Sequence, residues 1–335
     1  MNAFLRGVCA SAVHQFCWIT SIVLLGGMIP LGLEAQGLPT FHQLNPVVES
    51  RSGLYFQPFR PAKAGLSVDL GLNYGSAIEL AVNRVNGDSV LLIDAEFMRI
   101  NLGLRHDLGD RNYVAAELFA GGSYDGIFDK AINAYHSLFG IKFVEREHRP
   151  TNEFAYRVRA PDGQLLVRDK SALYFGDLRL TAGRRLRSNW QAELSVTLPT
   201  STAPAGYGIG TVSANAMTAV RLPLGKHFVY QGTAGVGVTP THGELSDWQH
   251  QLFVLATSGL SLRLGQRNSI FANLIVQSPD YVGSLARGLN NAEMDLDFGW
   301  VLTTRSGREW HISFTEEPQP SGPAIDLMLR AGVSW

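Results

Sequence analysis

From Ile325 to Trp335 the chain alternates without a break: Ile325, Leu327, Leu329, Ala331, Val333 and Trp335 interleave with Asp326, Met328, Arg330, Gly332 and Ser334. A period of two belongs to an extended strand, whose successive side chains point to opposite faces. The same period recurs upstream. Leu66, Val68, Leu70, Leu72 and Tyr74 interleave with Ser67, Asp69, Gly71 and Asn73, and Ile100, Leu102 and Leu104 with Arg99, Asn101, Gly103 and Arg105. Trp190, Ala192, Leu194, Val196 and Leu198 face away from Gln191, Glu193, Ser195 and Thr197, and Met294, Leu296, Phe298, Trp300 and Leu302 from Asp295, Asp297 and Gly299. One apolar face and one polar face, repeated with large residues along nearly every strand, suit a wall with lipid on one side and a polar interior on the other.

The count comes to about twelve strands, many of ten residues or so, the length a tilted strand needs to cross a bilayer. Beyond the N-terminal segment no apolar run is long enough for a spanning helix. The connections alternate in length. Short turns at Gly109-Asp110, Arg187-Ser188-Asn189, Gly225-Lys226, Gly265-Gln266 and Ser306-Gly307 separate long segments at 124–173, 200–208, 240–249, 278–291 and 316–323, the brief turn Asn86-Gly87-Asp88 excepted. Outer-membrane barrels pair short periplasmic turns with long external loops in this manner, whereas a soluble β-sandwich has no reason to. The expected fold is therefore an all-β, antiparallel transmembrane β-barrel of about twelve strands over 65–335. Backbone groups in lipid need partners, so such a sheet must close.

Composition agrees. Hydrophobic residues make up 45% and charged residues 17%, and a formal charge of −1 leaves no basic excess for nucleic acid. At the N-terminus Arg6 precedes an apolar run over 16–33 that holds Trp18, Ile22, Val23, Leu24 and Leu25 and is broken by Gly26, Gly27 and Pro30. This order of charge, apolar run and small residues predicts a signal peptide over 1–35, cleaved after Ala35 on the way to the outer membrane of a Gram-negative bacterium. Both cysteines, Cys9 and Cys17, fall inside it, so the mature chain has no disulfide or thiolate chemistry. Residues 36–64, with Pro39, Pro46, Pro58 and Pro61 and no alternation, are expected to form an irregular periplasmic leader. The sequence leaves open whether it threads the barrel or lies beneath it.

The 124–173 segment is too long for a plain loop. Phe128, Ile132, Tyr135, Leu138 and Phe139 step by three and four up to Gly140, which predicts a short amphipathic helix with a glycine cap, and two apolar stretches around Asp162-Gly163 predict a hairpin. This external insertion is read either as a structural cap on the barrel mouth or as a lid or plug.

The inward-facing charges Arg99, Arg105, Glu117, Asp177, Arg179, Glu193, Asp295, Asp297 and Arg330 are the candidates for lining a lumen, where both signs either neutralise each other or set ion selectivity. His242, Glu244, Asp247 and His250 share one external loop and have the chemistry of metal ligands or an acid-base pair, although polar loops gather such residues by chance. His136, His148 and His311 are further possible bases, but no nucleophile elbow, zinc helix or phosphate loop stands in the mature chain. No cofactor and no metal is expected.

The run Phe175-Gly176-Asp177-Leu178-Arg179-Leu180, preceded by His136-Ser137-Leu138-Phe139-Gly140 and followed by Leu198-Pro199-Thr200, resembles the uncharacterised proteobacterial domain-of-unknown-function family 3187. Asn45-Pro46 and Asp247-Trp248-Gln249 are similar too, so the resemblance runs from about Leu38 to Trp335. It implies an exported, barrel-like protein with no assigned activity, and it carries over no catalytic residue. The leading expectation for function is a passive channel or small-solute transporter gated within 124–173. An outer-membrane lipid-modifying enzyme using His136 or the His242 loop, and a structural or adhesive barrel with ligand-binding loops, are the alternatives. Expected partners are outer-membrane lipid and the barrel-assembly machinery, reached through the strand that ends at Trp335.

Overall fold

Val68 and Trp335 exchange backbone hydrogen bonds of 2.9 and 3.0 Å, and with them the first long strand is joined to the last. The computed structural model describes residues 37–51, 57–63, 65–82, 88–140, 149–318, 322–323 and 325–335. The expected signal segment, both cysteines, most of the first external turn and His148 lie outside these residues.

The strands are β1 (Gly65–Val82), β2 (Ser89–Leu108), β3 (Asn112–Tyr124), β4 (Ala155–Arg159), β5 (Leu165–Val167), β6 (Tyr174–Phe175), β7 (Leu178–Arg187), β8 (Trp190–Leu198), β9 (Ser213–Leu224), β10 (Phe228–Val238), β11 (Leu252–Arg263), β12 (Asn268–Gln277), β13 (Glu293–Thr303), β14 (Glu309–Glu316) and β15 (Leu327–Ser334). All but β4, β5 and β6 pair with their neighbours in an antiparallel ring that β1 and β15 close, giving a closed twelve-stranded barrel. Closure leaves no ring strand with an unpaired edge. At one end the connections are short, at 109–111, 188–189, 225–227, 264–267 and 304–308; at the other they are long. The polar-inward alternation holds through the ring. Leu70, Leu72, Ile100, Leu102, Leu194, Val254 and Ile312 are exposed on the outside, while Asn73, Asn101, Thr181, Gln191, Ser195, Thr257 and Asn273 are buried inside.

Large inward rings lie over small neighbours. Tyr113 of β3 stands opposite Gly183 of β7, and a Cβ on Gly183 would come within 2.0 Å of the tyrosine ring. The vacancy lets the ring lie flat across the wall, with its hydroxyl donating to Glu193 at 2.7 Å and the Arg105 guanidinium stacked 3.7 Å from its centre. Phe271 lies over Gly299 in the same way. Narrow barrels are filled by such alternation of large and small.

The long insertion divides in two. Its helix, α2 (Asp129–Phe139), ends at Gly140 in the left-handed region (φ 69°), and its hairpin, β4 and β5, turns at Gly163 (φ 89°), both where the sequence predicts them. Their placement differs from the expected cap or lid. The hairpin extends the wall, because β4 pairs with the outer part of β2. The helix packs on the outer surface of the barrel. Phe128 meets Tyr74 and Tyr135 meets Phe314 edge to face at 5.2 and 5.5 Å, and both wall rings have the same parity as the exposed Leu70, Leu72 and Ile312. The apolar stripe is thereby split: Ile132 is buried against the wall while Leu138 is 80% exposed.

Gly183→Val forces Tyr113 out of its seat. By the cost of overpacking, stability to urea is expected to fall by about 1–3 kcal/mol, with the barrel otherwise intact by circular dichroism.

Candidate functional site

The interior is occupied by the chain's own N-terminal leader. Residues 37–51 and 57–60 run inside the barrel, with 61–63 exposed at its short-turn rim, so of the two placements the sequence allows, threading is the one adopted. Leu38, Phe41, Leu44, Val47, Val48 and Phe59 are all buried, and Leu38 fills the space left by Gly259 of β11, where a Cβ would approach it to 2.5 Å. Burying each large apolar side chain contributes roughly 1.5–3 kcal/mol before ordering costs. Asn45 caps the single-turn helix α1 (Pro46–Glu49) by accepting from the N–H of Val47, and Pro46 is pre-set for the first helical position.

The charges inferred from strand parity meet this leader. Arg99 donates to Glu49 at 2.5 Å, reaches Glu117 at 3.5 Å, and lies 3.3 Å from Nδ1 of His42 and 3.6 Å from the centre of the Phe119 ring. Arg330 is paired with Asp297 at 2.5 Å and donates to the Thr40 carbonyl, with Phe41 beneath it. Asp295 accepts from Gln43 at 3.1 Å. Arg179 stands 3.7 Å from Glu117, Arg105 is 3.3 Å from Asp107, and Glu193 accepts from Tyr113. Asp177 differs from the rest. Its two oxygens accept the backbone N–H groups of Ser201 and Ile209, so it fixes the 199–212 loop.

Towards the short-turn end the leader is held by residues that the sequence reading did not single out. Arg60 forks onto Asp69 at 2.6 and 2.8 Å, the N–H of Lys63 donates to Asp107 at 2.7 Å, and Arg185 bridges Asp107 to the carbonyls of Arg60 and Pro61. Asp69, Asp107 and Arg185 share the inward parity of their neighbours and were legible by extending each alternation one step. Arg60 carried no such signal, having no period around it. At the long-loop end the Arg51 guanidinium donates to three carbonyls, of Thr239, Pro240 and His250, and Tyr281 donates to the Val47 carbonyl.

Above α1 lies a vestibule of about 230 Å³, bounded by Ser50 and Arg51 of the leader, Tyr156 and Arg168 of the insertion, and the 199–212 and 239–251 loops. A smaller inner cavity of about 40 Å³ sits between His42, Glu49, Arg99 and Arg179 and shares Asp177, Gly208 and Ile209 with the vestibule.

The histidine-rich loop is dispersed. His242 bonds Gln249 through its backbone, Glu244 is paired with Arg168, and the N–H of His250 donates to the Asp280 carbonyl. Among the described residues no group of three or more His, Cys, Asp or Glu is placed to hold a metal ion. His136 lies on α2 against the outer wall, 3.5 Å from Glu316 and 3.7 Å from Asp326, far from the vestibule lining. His311 sits on β14, flanked by Gly332 of β15.

Burial dominates the electrostatics of the leader. It lifts the Glu49 carboxyl to about 7 despite the opposing pull of Arg99, and it holds His42 well below its usual value, helped by Arg99 and Arg179, so that His42 is neutral. Asp280, beside Arg51 in the outer loops, is likewise lifted to about 7 by burial.

A docked Glu49 that titrates near 7 instead of its ordinary 4.5 binds its proton more tightly in place than released. Docking is therefore favoured most at low pH and loses that contribution as pH rises through 7. Thiol labelling of Val48→Cys, buried when the leader is docked, divided by that of an exposed reference cysteine at each pH to remove the rise in thiolate fraction, is expected to increase between pH 6 and 8, and Glu49→Gln to abolish that increase. Arg99→Met leaves Glu49 without its guanidinium while Arg179 still faces Glu117; breaking a buried pair costs about 3–5 kcal/mol, so labelling at pH 8, where Glu49 carries its charge, is expected to rise by a hundredfold or more over the parent.

A family model for a protein of unknown function (DUF3187) matches residues 78–318. No curated protein matches the chain. Among solved structures, the COG4313 outer membrane channel from Pseudomonas putida F1 aligns with a TM-score of 0.52 at 13% identity, over 82% of this chain and 96% of that one. The toluene transporter TodX of Pseudomonas putida gives 0.39 at 8% identity over 82% and 89%, and a FadL homologue of Pseudomonas aeruginosa gives 0.41 at 7% over 89% and 99%. Identities this low speak to fold alone. The match over most of the ring, carried by a barrel whose interior is filled by its own leader, makes this chain a member of the DUF3187 family.

Proposed function

We propose that the protein is an outer-membrane channel or transporter for small solutes, held shut by its leader. The observation that carries this reading is the leader itself, bonded to the wall from the short-turn rim up to the long-loop vestibule. An interior closed by a segment joined to the wall through non-covalent contacts alone, many of them polar, suits a passage that opens. The vestibule gives a solute arriving from the long-loop side direct access to Ser50 and Arg51 of that leader. The outward apolar face supports a bilayer setting with long loops outside, and the likeness to an outer-membrane channel supports the same compartment. Export by a signal peptide over 1–35, and insertion by the assembly machinery acting on the strand that ends at Trp335, belong to this proposal.

Gating passes in this reading from the 124–173 insertion to the leader, since α2 lies outside the barrel and, among the described residues of the insertion, Tyr156 and Val158 of the hairpin and Arg168 just after it line the vestibule. Of the nine inward charges, Arg99, Glu117, Asp295 and Arg330 act as the leader's docking partners, and the set lines the passage for a solute once the leader moves.

Planar-bilayer recording tests the proposal. The full chain is expected to insert silently or with brief openings, whereas deletion of 37–63 yields stable conductance steps. Equal, stable conductance from both forms would refute closure by the leader, and silence from both would refute the channel.

A further inference from the structure

We propose that α2 is an interfacial helix whose outer side docks into the external lipid leaflet; the proposal rests on the membrane reading above. Strand parity places the helix. Ser76 stands opposite Glu96, and both share the outward face with the exposed Leu70, Leu72, Ile100 and Leu102. Leu66 to Tyr74 is eight residues, which at the usual tilt of about 40° rises about 20 Å, so the Tyr74 level lies near the upper edge of an apolar band about 25 Å tall. Tyr74, Phe128, Tyr135 and Phe314 gather at that level, where aromatic girdles meet the headgroups.

The wall beneath the helix is unsuited to lipid. Glu96 and Glu316 have outward parity, and carboxylates there would be poorly solvated beside acyl chains. The insertion covers them. Glu96 accepts the N–H groups of Ile127 and Phe128 at 2.9 and 2.7 Å, immediately before the first turn of α2, where a negative charge is favoured, and it also takes the Tyr74 hydroxyl. His136 faces Glu316, and Arg149 pairs with Asp94 at 2.7 Å. The surface that replaces this polar sector carries an apolar strip, Ile127 at 74% exposed, Leu138 at 80%, and Ala131 and Ala134 open between them, bordered by exposed Lys130 and Ser137, as suits a helix at the level of the headgroups. It continues the lipid-facing band of the neighbouring strands, and this continuity assigns lipid as the occupant. An amphipathic helix with one side anchored and the other apolar lies along the interface in this way.

Spin labels at Leu138→Cys and Ile127→Cys, in a full-length Cys9→Ser/Cys17→Ser background in phospholipid vesicles, test the assignment. Leu102→Cys on the wall and Asp162→Cys at the hairpin tip serve as lipid and water references. The ratio of collision with oxygen to collision with a water-soluble nickel chelate is expected to be about tenfold higher at 138 and 127 than at 162, approaching that at 102. A ratio at 138 matching 162, with 102 still lipid-like, overturns the docking and leaves the membrane reading standing. Equal ratios at 102 and 162 overturn both. Low collision with both reagents and dipolar broadening at 138 shows a second copy on this face, which also overturns lipid as its occupant.

Discussion

A closed ring of twelve strands turns every second side chain inward, and those side chains need partners once they are removed from bulk water. Everything else in the structure follows from how that need is met. Eight-stranded barrels fill themselves and porins admit water; a twelve-stranded ring lies between them. Here aromatic residues seated over glycines fill part of the space, and a segment of the chain's own backbone takes the rest. Arg99, Arg330, Arg185, Asp107 and Asp295 all make contacts to that segment, many of them to its carbonyls and N–H groups. Backbone groups make such docking tolerant of sequence, which explains how a stretch with four prolines and no periodicity can still be specifically held.

The same need operates on the outside. Glu96, Asp94 and Glu316 carry the outward parity that elsewhere belongs to leucine and isoleucine, and the insertion packs against the wall at those positions. Insertion and leader thus solve one problem on the two faces of a single sheet. Each covers polar wall, the insertion shielding carboxylates from lipid and the leader supplying the inner side chains with partners in place of water.

The barrel was legible because its signal is strictly local: period two, turn chemistry and loop length. Helix and hairpin in the insertion could be read from spacing and from Gly140 and Gly163. Their placement could not, since the wall residues that receive them lie elsewhere in the chain; Asp94, Glu96 and Glu316, acidic at outward positions where leucine and isoleucine are expected, were the available clues. In the leader, Glu49, Arg60 and His42 gave no warning, because their positions depend on tertiary docking alone. Asp177 is instructive in the other direction. Its parity is inward, as with the other charges, but it stands just ahead of β7 and its oxygens are taken by loop N–H groups, a distinction that alternation cannot make.

The path of the leader has a topological consequence. Thr40 and Arg60 lie against each other, the Arg60 guanidinium donating to the Thr40 hydroxyl, while Arg51 sits at the opposite mouth. The described segment therefore rises and returns as a bight, both limbs together at the level of Thr40 and Arg60, and its lower limb runs directly into β1. A bight can be drawn from a finished ring by the mouth at which both its limbs lie. Folding of the wall and filling of its interior use different contacts, and in the proposed gating the movement of the leader leaves every strand pair of the ring in place.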